Sequence, residues 1–142
     1  MTSLLNSIKK ESIRFSEIRG LDALYVYGSC VSGNIRKESD VDIAILPSPE
    51  VPAMDRLGMI SQVEGITSKI IRNRAVSIVD LRGKTTALSL VFNILTRGEL
   101  LYERNGESRI EFELYVKEEY HDFVPFIERL RTVKYGRLFP KA

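Results

Sequence analysis

The chain has 142 residues, of which 44% are hydrophobic and 28% are charged, and its formal net charge at pH 7 is +2. This length and composition predict one globular domain over residues 1–142, and the near balance of charge excludes a strongly basic nucleic-acid scaffold. The single cysteine, Cys30, excludes an intramolecular disulfide, and the lack of a leader-like or spanning apolar run favours a cytoplasmic protein.

Helical and strand patterns alternate in the first part of the chain. Apolar residues recur at a helical period over residues 3–18, so we predict one amphipathic helix that ends at Gly20. The apolar and aromatic run ALYVYGS at 23–29 predicts a buried strand, and DVDIAIL at 40–46 predicts a second.

The same alternation continues after the second strand. Pro52 suits the first turn of a helix, and the apolar positions that follow it recur at steps of four and three. AVSIVDL at 75–81 predicts a third strand, and residues 88–95 predict an amphipathic helix that stops at Gly98. The run LLY at 100–102 predicts a short edge strand.

A last helical stretch follows, with apolar residues at a helical period between Phe112 and Leu130. Pro125 lies inside it and is expected to kink or split the helix. Strands alternating with helices indicate an α/β domain, with a core over about 20–104 and a C-terminal helical segment over about 106–135.

Two aspartates at the start of the second strand form a candidate metal site. Side chains alternate along a strand, so Asp40 and Asp42 project from the same side while Val41 faces the other. Two neighbouring carboxylates repel each other, and a shared divalent cation with oxygen ligands removes the conflict. Mg²⁺ is the expected ion because it binds through one or two carboxylates together with substrate phosphates.

The end of the first strand supplies what a phosphate group would need. Gly28 permits a positive φ or a close approach to a ligand, and Ser29 offers a hydroxyl and a backbone N–H to phosphate oxygens. Together with Asp40 and Asp42, these residues predict a metal and triphosphate site for in-line phosphoryl chemistry. The alternative is a pair of solvated carboxylates at a strand end, which an isolated Asp-x-Asp would favour.

At these residues the sequence resembles the nucleotidyltransferase superfamily that includes DNA polymerase β, whose signature is Gly-Ser, a spacer and Asp-x-Asp. More narrowly, it resembles the minimal nucleotidyltransferase antitoxins that are encoded beside HEPN ribonuclease toxins. The quoted segments are YGSCVSGNIRKESDVDIAIL at 27–46 and, less specifically, VSIVDLR at 76–82, LTRGELLYER at 95–104 and EFELYVKEEYHDF at 111–123.

The resemblance implies a small mixed β-sheet with flanking helices, with ATP and Mg²⁺ as cofactors. It implies transfer of AMP to a tyrosine hydroxyl of the partner toxin, with Gly28 and Ser29 holding the triphosphate. Asp40 and Asp42 would be the metal-binding and catalytic carboxylates.

The chain departs from the family pattern at two places. Relatives often carry an acid on the third strand where this chain has Ser77, and Asp80, three residues later, is the candidate third catalytic carboxylate if a bulge or the strand end turns it inward. Relatives also often have Arg directly after Gly-Ser. Here Cys30 takes that place, so Arg36 or Lys37 would supply the phosphate-binding charge.

The sequence therefore leaves three functional hypotheses open. The first is an adenylyltransferase that modifies and neutralises a HEPN toxin. The second is an antitoxin that acts by binding alone, since Ser77 replaces an acid. The third is a transferase for a small hydroxylated molecule, which a chain of this length disfavours because a deep acceptor pocket is hard to build.

Overall fold

The computed structural model describes residues 2–28, 40–72 and 74–135. These ranges contain five helices and four strands: α1 (Thr2–Lys9), α2 (Ser12–Ser16), β1 (Leu21–Tyr27), β2 (Val41–Pro47), α3 (Ala53–Ile70), β3 (Val76–Asp80), α4 (Leu88–Arg97), β4 (Glu99–Glu103) and α5 (Gly106–Tyr135). None of the helices in these ranges is long and apolar enough to cross a membrane.

The four strands form one mixed sheet in the order β3-β2-β1-β4. β1 pairs antiparallel with both β2 and β4, whereas β2 and β3 are parallel and are connected through α3. The predicted α/β class, the mixed sheet with flanking helices and the C-terminal helix are confirmed, and β4 is the predicted edge strand. The single domain over 1–142 stays a prediction.

Each face of the sheet packs against its own set of helices. On one face, residues at alternate positions of β1 and β2, such as Val26 and Ile43, pack with Ile8, Phe15 and Val63 from α1, α2 and α3. The other face carries the remaining positions of these strands and packs against α4 and α5. Its buried residues are Ala23, Tyr25, Ala44, Leu46, Leu81, Val91, Ile94, Phe112 and Val116.

The N-terminal segment differs from the single helix predicted over residues 3–18. The Lys10 amide still donates to the Asn6 carbonyl, but the Glu11 amide donates to the Ile8 carbonyl, which closes a tighter turn. The chain then begins α2, so Ile8 and Phe15 are both fully buried on the sheet. Because neither Lys10 nor Glu11 is a helix breaker, the apolar periodicity alone could not reveal the break.

The C-terminal segment forms a single helix, and of the two outcomes expected at Pro125 the structure tests only the split. α5 runs from Gly106 to Tyr135 with Pro125 inside it, so the helix is not split there. A proline in a helix interior removes one backbone hydrogen bond, and here the helix continues on both sides of it. Tyr120 of α5 stacks on Phe92 of α4, with ring centroids 4.0 Å apart and an interplanar angle of 5°.

Replacing Phe15 with alanine tests how firmly α2 is anchored. Phe15 is fully buried, so Phe15→Ala is expected to lower the free energy of unfolding by about 3–5 kcal/mol through lost burial and a cavity. Ile13 lies two residues away and is 74% exposed, so Ile13→Ala should change it by less than about 0.5 kcal/mol. Equal effects in urea unfolding would contradict the packing of α2 on the sheet.

Candidate active site

Gly28 and the Asp42 carboxylate are brought together where β1 ends and β2 begins. Gly28 directly follows β1 and has a φ of 76°, in the left-handed region that favours glycine. A Cβ atom placed on Gly28 would lie 2.7 Å from Asp42 Oδ2, closer than such atoms can approach. The predicted positive φ is confirmed, and the close approach that glycine permits here is to a carboxylate of the predicted metal site.

Strand register places two hydroxyl-bearing residues beside Asp42. Tyr27 pairs with it across the antiparallel β1–β2 ladder, and Ser77 pairs with it across the parallel β2–β3 ladder. Paired residues on adjacent strands share a face, so these three side chains lie in a row on the face that α4 and α5 cover further along the sheet. Asp42 and Tyr27 are half-buried, and Ser77 is exposed.

Asp40 precedes this row. The prediction put it in the second strand, but β2 begins at Val41, whose amide donates to the Ala75 carbonyl at 2.9 Å. Asp40 is exposed and lies just outside the sheet. It remains two residues from Asp42 in extended chain, close enough for the two charges to interact.

The surroundings of Asp42 disfavour its charged form. Burial raises the pKa of Asp42 above its ordinary value, and the negative charge of Asp40 raises it further. Burial also raises the pKa of Tyr27, with the charge of Asp42 adding to the effect. A divalent cation shared by Asp40 and Asp42 would offset both the burial and the repulsion, so the residues present fit such an ion.

Asp80 does not join this pair. It ends β3 opposite Ile45, which packs in the core facing α3, whereas Asp42 lies on the other face. One Asp80 oxygen accepts a hydrogen bond from the Arg82 amide at 2.8 Å, and the other accepts one from the Arg56 guanidinium at 3.4 Å. β3 pairs with β2 without a shift in register, so no bulge turns Asp80 inward, and the catalytic role expected of Asp80 stays a prediction.

Several predicted site residues lie outside the described part of the chain. These are Ser29 and Arg36, the predicted triphosphate contacts, together with Cys30 and Lys37. Their roles stay predictions. Among the residues that the structure describes, no group of three or more His, Cys, Asp or Glu side chains could hold a metal ion.

Tyr27 is the site neighbour that the sequence interpretation missed. It was assigned to the buried strand only, although its pairing partner follows from the strand boundaries. In an antiparallel pair the residue numbers of partners have a constant sum, and Val26 with Ile43 fixes Tyr27 opposite Asp42. Knowledge of the strand order would have sufficed to find it.

A large cavity lies elsewhere in the described part of the chain. It measures about 980 Å³ and is lined by residues such as Gly20 and Ser48, at the start of β1 and just after β2. Gly28 and Asp42 lie at the opposite end of these two antiparallel strands. Cavity size therefore does not identify the candidate active site, which rests on the carboxylates and the glycine.

Comparison with known proteins agrees with the geometry. Residues 7–107 match a family described as polymerase beta, nucleotidyltransferase, a range that includes Gly28, Asp40 and Asp42. None of the curated proteins matches the chain.

Several solved structures are similar over nearly their whole length. A toxin-antitoxin with AMP-PNP has a TM-score of 0.62 at 20% identity, covering 94% of this chain and 98% of that one. A toxin-antitoxin MntA-HepT has a TM-score of 0.58 at 19% identity, covering 97% and 98%. A structure from Shewanella oneidensis has a TM-score of 0.58 at 18% identity, covering 92% and 95%. At these identities the likeness shows the shared fold.

A side chain at Gly28 should disturb the site. Gly28→Ala forces a positive φ that costs about 1–2 kcal/mol and brings a methyl group against Asp42, so the free energy of unfolding should fall by at least that amount. Gly65 lies in α3 with nothing within 4 Å of an added Cβ, so Gly65→Ala should raise stability by about 0.5–1 kcal/mol. Urea denaturation measures both, and a neutral Gly28→Ala would contradict the close approach.

Removing the charge of Asp42 should stabilise the protein in metal-free buffer at pH 7. A carboxylate with a raised pKa binds its proton more tightly in the folded state than in the unfolded state. The free energy of unfolding therefore falls as pH rises above the pKa of the unfolded chain, which is near 4 for aspartate. Asp42→Asn should therefore exceed the wild type in free energy of unfolding at pH 7, and the difference should shrink below pH 4. The surface change Glu64→Gln controls for net charge. A wild type that gains stability relative to Asp42→Asn as pH rises would refute this account.

Proposed function

We propose that this chain, which belongs to the polymerase β nucleotidyltransferase family, transfers AMP from ATP to a tyrosine hydroxyl of a partner HEPN ribonuclease toxin. It would thereby act as the antitoxin, in the cytoplasm where its partner acts. The observation that carries the chemistry is the approach of the Asp42 carboxylate to the bare Cα of Gly28, with Asp40 two residues away.

The partner and the nucleotide are supported by similar structures. Two of those reported above are described as toxin-antitoxin structures, and one of them is with AMP-PNP, which carries the adenosine and a triphosphate-like chain of ATP. This chain spans nearly the full length of both. Because this chain shares their fold, we propose the same kind of partner and nucleotide for it.

Asp40 and Asp42 are the residues that would hold Mg²⁺. When bound, Mg²⁺ would supply positive charge to the triphosphate oxygens and to the charge that develops during transfer. The raised pKa of Asp42 supports this assignment, because it reports a buried carboxylate repelled by its neighbour. Ser29 and Arg36 complete the proposal as triphosphate contacts.

At the α-phosphorus the reaction forms one bond and breaks one. The tyrosine oxygen of the acceptor bonds to the α-phosphorus of ATP, and the bond from that phosphorus to the pyrophosphate oxygen breaks, so pyrophosphate leaves. The acceptor O–H bond also breaks, and its proton passes to water. The chain's own contribution is positional. Pairing with Tyr27 and Ser77 fixes where the Asp42 carboxylate lies, and glycine at position 28 leaves its near side open.

A second candidate function is an antitoxin that neutralises by binding alone. It is favoured by the third-strand residues, since Ser77 is the one aligned with Asp42 and Asp80 is held by Arg56 on the other face. A site with two carboxylates would then transfer AMP slowly, and protection would come from the complex itself.

Transfer of labelled AMP tests the first function. Incubation with Mg²⁺, labelled ATP and the product of the neighbouring gene should label that product, and Asp42→Asn should reduce the initial rate at least 100-fold, the scale of losing a group that stabilises the transition state. Glu64→Gln, which also removes one negative charge but lies on the exposed face of α3, should keep the wild-type rate.

Labelling that persists undiminished in Asp42→Asn would overturn the catalytic assignment. The double variant Asp40→Asn, Asp42→Asn separates the two candidates in cells. Loss of protection from the toxin supports catalysis, whereas full protection with no labelling supports neutralisation by binding.

A further inference from the structure

A second cavity lies at the end of the sheet away from Asp42, between the loop after β3 and the helices α4 and α5. Its volume is about 370 Å³, which is within the range of small-ligand sites. The cavity is lined by two arginines and several apolar or aromatic residues, including Arg56, Arg82, Leu88, Val91, Phe112 and Tyr115.

Arg82 is held in a fixed position at this cavity. Its Nε donates to the Pro47 carbonyl at 2.6 Å, and its guanidinium carbon lies 4.7 Å from the centre of the Phe112 ring. The hydrogen bond and the ring contact use the Nε atom and one face of the guanidinium. The two terminal nitrogens, with four N–H groups, remain available to a planar anion.

Two guanidinium groups line the cavity, and that of Arg56 is in an ion pair. Arg56 pairs with Asp80 at 3.4 Å, and these side chains are 17% and 14% exposed. Arg82 forms no ion pair within residues 2–28, 40–72 and 74–135. Burial lowers the pKa of Arg82 and the charge of Arg56 lowers it further, against the opposing effects of Asp22 and Asp80, so a further anion would stabilise the cation.

The start of α4 adds to this positive potential. The helix begins at Leu88 on the cavity wall, and its N-cap residue, Ala87, has no side chain that could accept a hydrogen bond from the first-turn amides. The N-terminus of a helix carries a partial positive charge that favours anions. Arg82 and the helix start are independent features of the same cavity.

Much of the remaining wall is apolar and includes Leu88, Val91 and Phe112, although Thr86 also lines it. Tyr115, which is 59% exposed, stands at the rim. A simple inorganic anion would leave this surface uncovered. We propose that the cavity binds an organic carboxylate that carries an aromatic or branched apolar group, with the carboxylate on Arg82 and the apolar group against Leu88 and Val91. The site is separate from the candidate active site, and the inference does not rest on the proposed function.

Ligand titration followed by amide NMR tests the proposal on the whole chain. The probe is 3-phenylpropionate, and the matched uncharged probe is 3-phenylpropan-1-ol. The carboxylate is expected to bind saturably and at least tenfold more tightly than the alcohol, with shifts at the amides of Gly83, Leu88 and Val116. Inorganic phosphate alone should bind more weakly than 3-phenylpropionate, because it cannot cover the apolar wall.

Two variants locate the site. Leu88→Trp should fill the cavity while leaving both arginines in place, and it is expected to weaken 3-phenylpropionate at least tenfold. Leu90→Trp is the matched control, since Leu90 is on the same helix and partly buried but does not line this cavity. It should keep the affinity within twofold. Arg82→Gln, if folded, should bind acid and alcohol equally.

Equal affinity of the acid and the alcohol for the wild type would overturn the proposal. So would unchanged binding in Leu88→Trp, the absence of saturable binding, or phosphate binding as tightly as 3-phenylpropionate. The wild-type comparison of the two probes decides the matter even if Arg82→Gln does not fold.

Discussion

The candidate active site depends on one steric and electrostatic constraint, the approach of a carboxylate to a backbone that has no side chain. β1 and β2 are antiparallel, so the residue that follows β1 lies beside the start of β2, where Asp42 is the second residue. Only glycine leaves room there for the Asp42 carboxylate, and only glycine adopts the local φ of 76° without strain. The chain thus holds a half-buried acid beside a second acid, and burial together with the charge of Asp40 raises the pKa of Asp42.

The two faces of the sheet separate Asp42 from Asp80. Asp42 lies on the face shared with Tyr27 and Ser77, where it is available at the end of the sheet. Asp80 lies on the face of α3, where Arg56 and the Arg82 amide use both of its oxygens. The same residues fix the loop after β3 and set the position of Arg82 at the second cavity, so the two hydrogen bonds of Asp80 stabilise this loop.

Much of this arrangement could be predicted from the sequence. Apolar periodicity predicts the strands and the long helices, and the Gly-Ser and Asp-x-Asp pattern predicts a site at Gly28, Asp40 and Asp42. The failures have physical causes. The break between α1 and α2 occurs at Lys10 and Glu11, two residues that do not usually end helices, and the place of Tyr27 beside Asp42 depends on pairing between strands, which no local pattern encodes.

The alternation of side chains along β3 also limits which substitutions can change the number of acids beside Asp42. The Asp80 carboxylate cannot reach the face of Asp42 through substitutions elsewhere in β3. Moving it would require inserting or deleting a residue in this parallel strand, and it would break the ion pair with Arg56. Ser77 is different, since it is exposed, already in register with Asp42 and free of core packing. Position 77 therefore decides how many acids lie at this edge of the sheet. Because its side chain is exposed, a substitution there can add an acid without disturbing the fold.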